Sequence, residues 1–130
     1  MKLLGELPIE IDGKHFVLKP TFRALLVIEE LSGKTLSELL KLFLSSKAGV
    51  KDVTAVIYGG MLGKNGDKAL MSYDEVGGLV ASNFFSLLPH CITIVGAAYS
   101  GKPIDEALRL REAAKAKADN SDVEEKKTAL

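Results

Sequence analysis

Gly96, Gly101 and Lys102 stand at the spacing of a G-x-x-x-x-G-K phosphate loop, and the apolar run Cys91–Val95 just before them could be a buried strand. In such a loop the backbone N–H groups cradle phosphates, and a Ser or Thr after the lysine binds magnesium. Here that position is Pro103, which has neither a hydroxyl nor a backbone N–H to offer. The loop also belongs early in a parallel βαβ domain, whereas only 27 residues (104–130), rich in charge, follow Pro103. The stretch therefore reads as a helix end and a turn, and no cofactor-binding residue is assigned.

Metal and nucleophile chemistry are equally thin. His15, His90 and Cys91 are the only His and Cys residues. On a helix the adjacent pair His90–Cys91 would point about 100° apart, and neither residue has zinc-type spacing to a second pair. Cys91 could act as a nucleophile with His15 as base, but an apolar setting raises a thiol pKa and makes the group inert. A buried structural cysteine is the better reading, with His15 solvated on the outer face of a hairpin. There is no G-x-S-x-G elbow, and the carboxylate pairs Glu29-Glu30 and Glu124-Glu125 are sequence neighbours that do not converge on one substrate. The sequence assigns no catalytic residue and no metal ligand; the chain does not read as an enzyme.

Three residues point instead to contacts. Glu29 falls between Phe22 and Leu25 on the apolar side of a helix, so its carboxylate must find donors. An internal cap or salt bridge is one solution, and contact with a partner is the other. Phe84, Phe85 and Tyr99 cannot all face one core. Burial of these rings against a second layer is the favoured reading, and display of one of them at a protein interface is the alternative. Glu29, Phe85 and Tyr99 are the candidate partner-binding residues.

The elements that must position these residues follow from pattern. The chain has 130 residues, 47% apolar and 26% charged, with seventeen basic residues against seventeen acidic. That balance gives no global pull towards nucleic acid or an anionic membrane. A lone cysteine forms no intramolecular disulfide and suits a reducing compartment. The N-terminus lacks the apolar length of a signal peptide. The richest apolar stretch, Phe84 to Tyr99, is interrupted by Pro89, His90 and Thr93 and falls short of a membrane span. The expectation is a soluble intracellular protein.

Asp12-Gly13 favours a two-residue hairpin turn, pairing Ile11 with Lys14, Ile9 with Phe16 and Leu7 with Leu18. Leu7, Ile9, Ile11, Phe16 and Leu18 then share one face. Pro20 and Thr21 open a first helix that Gly33 stops. Thr35 and Glu38 match a capping box for a second, with Leu36, Leu39, Leu40 and Phe43 on its apolar side. A third helix is expected over about residues 52–62, and a fourth behind the capping box Ser72–Glu75. Pro89 should end or kink that helix, and residues 89–100 read as helix in preference to strand. Another charged helix should follow Pro103.

Glycine pairs at Gly59-Gly60 and Gly77-Gly78 suggest close helix packing. The fold class is mainly α (α+β), an N-terminal β-hairpin packed on a small bundle of about five to six helices. One domain spans residues 1–118, and 119–130 form a polar tail of disordered composition.

The hairpin running into "LKPTFRALLVIEELSGKTLSELL" resembles the tail assembly chaperones of long-tailed phages, prophages and gene transfer agents. Pro20, Thr21, Ile28, Glu29, Gly33, Thr35 and Leu36 match that pattern, and "DVTAVIYGGML" and "SYDEVGGLV" are similar to its later helices. The resemblance implies a non-catalytic protein with no cofactor, which binds the tape measure protein and tail tube subunits during tail assembly. Self-association is a further option, and neither nucleic acid nor membrane is an expected partner. It also implies a place in the cytoplasm of the bacterial host and absence from the mature virion. The alternative is a structural tail-completion or connector protein of the virion.

Overall fold

The computed structural model describes residues 5–66, 68–106 and 108–109. The hairpin forms in the expected register: β1 (Leu7–Ile11) pairs antiparallel with β2 (Lys14–Leu18), Leu7 opposite Leu18 and Ile9 opposite Phe16. Asp12 and Gly13 both take positive φ, 52° and 79°, the backbone that matches a two-residue turn to strand twist. Leu7, Ile9, Ile11 and Leu18 are buried, whereas Glu10 and His15 face solvent. A two-stranded ribbon cannot stand alone in water; β2 lies against the third helix and β1 against the fourth.

Helix α1 (Phe22–Ser32) starts at Thr21, whose hydroxyl accepts the Ala24 N–H at 3.1 Å. It stops at Gly33, in the left-handed region with φ 70°. Helix α2 (Leu36–Leu44) starts at Thr35, whose hydroxyl oxygen accepts the Glu38 N–H at 3.2 Å. The expected capping box is only half made there. The Glu38 carboxylate accepts the Thr35 hydroxyl at 3.1 Å, so the side chains bind each other and the reciprocal bond to the Thr35 backbone is not formed. The box at Ser72 and Glu75 is complete.

Helix α3 (Val50–Lys64) is the centre of the bundle, packed between α1 and α4 (Tyr73–Ser100). From Val53 to Gly63 it carries no charged residue, and Val53, Ala55, Val56 and Ile57 are fully buried. A helix apolar all round is one that neighbours enclose on several sides. Gly59 and Gly60 permit that enclosure. A Cβ on Gly59 would stand 2.5 Å from Ile28 Cγ1, and one on Gly60 would stand 2.9 Å from Leu18 Cβ. Gly63, which the sequence pattern left unremarked, is the most constrained of the three: a Cβ there would collide with the Lys19 carbonyl oxygen. The Lys19 N–H in turn donates to the Gly60 carbonyl at 3.0 Å, fixing the end of β2 on α3.

The second glycine pair behaves differently. A Cβ on Gly77 would find only Thr54 Cγ2, at 3.9 Å, and one on Gly78 would meet nothing within 4 Å. Close packing explains the first pair and not the second.

Residues 89–100 are helical, as expected. The break is not at Pro89 but six residues earlier, at Asn83, with φ −132° and ψ 27°. A proline disturbs the carbonyl four residues before it, here that of Phe85, so the break at Asn83 stands two residues beyond its direct reach. Asn83 also satisfies the broken ladder locally: its amide donates to the Leu79 carbonyl at 2.9 Å, and the Ser86 hydroxyl donates to the Asn83 carbonyl at 2.9 Å.

Against the expectation from uninterrupted apolar runs, α4 is long and apolar enough to cross a membrane by length and composition. The residues that interrupt the run carry no formal charge, so the average stays high. One face of this helix is committed to the bundle: Val76, Val80, Leu87, Cys91 and Ile94 are buried in the core.

Beyond Pro103, residues 104–106 and 108–109 are helical and Ile104 is buried. The remainder of the expected last helix and the tail at 119–130 lie outside the described residues.

Candidate functional site

The segment that first suggested phosphate chemistry is the end of α4. Gly96 is inside the helix, Ser100 is its last residue, and Gly101 caps it in the left-handed region at φ 71°. The Ser100 hydroxyl donates to the Gly96 carbonyl at 2.7 Å, closing the last turn. Lys102 is exposed, and its backbone N–H donates to the Ser100 hydroxyl oxygen at 3.4 Å.

Cys91 is fully buried, and burial pushes its thiol pKa far up. A thiol held protonated in an apolar core is a packing group and not a nucleophile. His15 lies exposed on the outer hairpin face. Among the described residues, no cluster of His, Cys, Asp and Glu could hold a metal ion.

Glu29 is half-buried on α1, and its Oε2 accepts the backbone N–H of Leu36 at 3.0 Å. This is the internal-cap arrangement. The first N–H groups of a helix have no partner within it, and a carboxylate there also meets the positive end of the helix dipole. The neighbouring connector is tied down as well. Buried Ser32 Oγ accepts the Lys34 N–H at 3.2 Å.

One polar link was not visible in the sequence. Lys34 Nζ donates to Asp52 Oδ1 at 2.8 Å, while Asp52 Oδ2 accepts the Gly49 N–H at 2.9 Å. Asp52 thus caps α3 and fastens the α1–α2 corner to it, although only 4% exposed. Its partners lie at separations of eighteen and three residues. The short one, Asp at the third helical position, was the legible signal.

Phe85 and Tyr99 are displayed to solvent, 83% and 59% exposed, and neither takes the second-layer burial that the sequence favoured. Phe84 turns inward and meets Phe85 edge to face, with ring centroids 5.5 Å apart. The two neighbours diverge because they stand about 100° apart on a helix whose inner face is already filled. Beside them the break at Asn83 opens a hollow of 270 Å³, lined by residues of one stretch, from Ala81 to Ser86. Phe85 and Tyr99 therefore share the outer side of α4, whereas Glu29 belongs to the α1–α2 corner. Exposed Phe22 and Leu26, one helical turn apart, form a second apolar patch on α1.

The described residues form a hairpin on a helical bundle with apolar side chains displayed on α1 and α4. The family model described as "Phage tail tube protein, GTA-gp10" matches residues 4–101. That span runs from the hairpin to the cap of α4, and the chain belongs to this family. It is a phage or gene-transfer-agent tail protein of a structural family. A tail tube protein is a component of the mature virion, which overturns the expectation that the chain is left out of the finished particle. No significant match was found among curated proteins or among solved structures.

Proposed function

We propose that this chain is a non-catalytic structural subunit of a phage-type tail, working through apolar helix surface. The observation that carries this reading is the family match across residues 4–101, the whole hairpin and bundle. The outer side of α4 supplies a physical means, because exposed Phe85 and Tyr99 are the type of residue that dominates protein interfaces. Mass spectrometry of purified particles tests it. The chain should be recovered in copy numbers comparable to other tail subunits, and its absence from intact particles would sink the structural reading.

A second role, escorting the tape measure and tail tube proteins during assembly, draws support from the apolar patches. Phe22 and Leu26 on α1 and Phe85 on α4 offer surface that a long helical chain could cover. Co-expression with the tape measure protein tests this role. A complex that forms with the unaltered chain and fails with Phe22→Glu or Phe85→Glu is expected; no complex with the unaltered chain counts against it.

A further inference from the structure

Asn65 and Asn83 make the same local bond but have opposite neighbours. Each side-chain Nδ2 donates to the carbonyl four residues earlier, Asn65 to Met61 at 2.8 Å and Asn83 to Leu79 at 2.9 Å. Asn83 is followed by Phe84, half-buried inside α4. Asn65 is followed by Gly66, exposed beyond the end of α3 with φ 61°. The difference bears on the asparagine amide, one of the thermolabile groups of proteins. Its Cγ is open to attack by the backbone nitrogen of the next residue. Glycine offers the least hindered nitrogen, because no Cβ shields it and its backbone turns freely.

Asn65 caps α3 with φ −101° and ψ 19°. Its backbone N–H and its side-chain amide both donate to the Met61 carbonyl, at 3.1 and 2.8 Å. This turns the amide back along α3, so attack follows opening of the last helical turn. Helix ends are where such local opening costs least.

We propose that Asn65 is a site of spontaneous deamidation, and that its conversion unfastens the hairpin from α3. The Gly66 nitrogen bonds to Asn65 Cγ and the Cγ–Nδ2 bond breaks. The Gly66 proton leaves with the amide nitrogen as ammonia. Water then opens the cyclic imide at one carbonyl or the other, leaving aspartate or isoaspartate. Either product is a carboxylate, which cannot donate to the Met61 carbonyl and stands at the negative end of the α3 dipole. Isoaspartate also lengthens the main chain by a methylene.

The turn that loosens is the one that holds the hairpin. Within it or just before it, the Gly60 carbonyl accepts the Lys19 N–H at 3.0 Å, and Gly63 lies against the Lys19 carbonyl. Lys64 Nζ reaches Glu6 at 2.8 Å. The inference does not depend on the tail reading, and its failure would leave that reading standing.

Peptide mapping of the full chain, incubated in mildly alkaline buffer at body temperature, tests the site. The peptide holding Asn65 should convert to a mixture with isoaspartate in excess, while the peptide holding Asn83 keeps its amide. Gly66→Ala should slow the conversion severalfold. Alanine is strained at φ 61°, so loosening of the turn alone would speed the reaction, and a slower rate reports the chemistry. Asn65→Asp reproduces one product. In that variant the Lys19 N–H should exchange with deuterium faster than in the unaltered chain, and the amides of Val56 and Ile57 should not.

An Asn65 amide that survives while the urea-unfolded chain converts overturns the site. So does conversion of Asn83 at the same rate, or a rate unchanged by Gly66→Ala. Unaltered exchange at Lys19 in Asn65→Asp overturns the unfastening.

Discussion

The Glu29 carboxylate on α1 accepts the backbone N–H of Leu36, the first residue of α2, at 3.0 Å. Thr35 covers a different donor of the same helix, the Glu38 N–H at 3.2 Å. Two side chains from opposite sides of the α1–α2 corner thus serve one helix start. Glu29→Ala should cost about 1–2 kcal/mol, the range for losing a helix cap or a charged hydrogen bond. Glu29→Gln retains an acceptor oxygen and should cost less. Urea denaturation of the three proteins checks the order, and equal stability throughout would show that the cap contributes nothing.

The glycines of α3 and α4 should respond in opposite directions to the same substitution. Gly63→Ala drives a methyl into the Lys19 carbonyl, which is backbone, and Gly60→Ala places one 2.9 Å from Leu18 Cβ. Neither neighbour is the free end of a flexible side chain. Each change should destabilise by about 1–3 kcal/mol, the usual cost of overpacking. Gly77→Ala meets only Thr54 Cγ2 at 3.9 Å and should stabilise by up to about 1 kcal/mol through helix propensity. Thermal melts of the three variants separate the classes, and a loss in all three would refute the distinction.

What the sequence made legible was local. The Asp12-Gly13 turn dictated the hairpin register, and the caps at Thr21, Ser72 and Gly101 are set by neighbours within a few residues. Relations between distant residues were hidden. Nothing in "GGMLG" reveals that the last glycine faces the Lys19 carbonyl, or that Lys34 reaches Asp52 across eighteen residues. The apolar character of Phe85 and Tyr99 was plain, but their exposure was not. Periodicity shows that a helix has an apolar side without showing how much of it neighbours cover. The candidate surface was thus readable as residues and unreadable as a face, until the filled inner side of α4 left those rings outside.

Cys91 should be chemically silent in the folded protein. It is fully buried, and burial pushes its thiol pKa upward, so the reactive thiolate is scarce and shielded at neutral pH. Reaction with a disulfide reagent such as 5,5′-dithiobis(2-nitrobenzoate) should be slow in buffer and rapid in denaturing urea. Its rate in buffer should follow the opening of the fold. Rapid labelling of native protein, with no change in the far-UV spectrum, would contradict the buried setting.

The Glu6–Lys64 pair fastens the chain ahead of β1 to the end of α3, with 2.8 Å between Lys64 Nζ and Glu6 Oε1. The hydrogen bond from Lys64 holds the Glu6 pKa below its ordinary value of 4.5. A carboxylate with a lowered folded-state pKa stabilises the fold fully above its unfolded value. That contribution disappears as the pH falls through the lowered one. Both side chains are about two-fifths exposed, at 41% and 40%, so salt should screen the effect. Lys64→Met should therefore be less stable than the unaltered chain at pH 7 in dilute buffer. The gap between their urea midpoints should close both on acidification to pH 3 and in 1 M sodium chloride at pH 7. A gap that persists under both conditions would assign the loss to packing of the lysine stem and not to the ion pair.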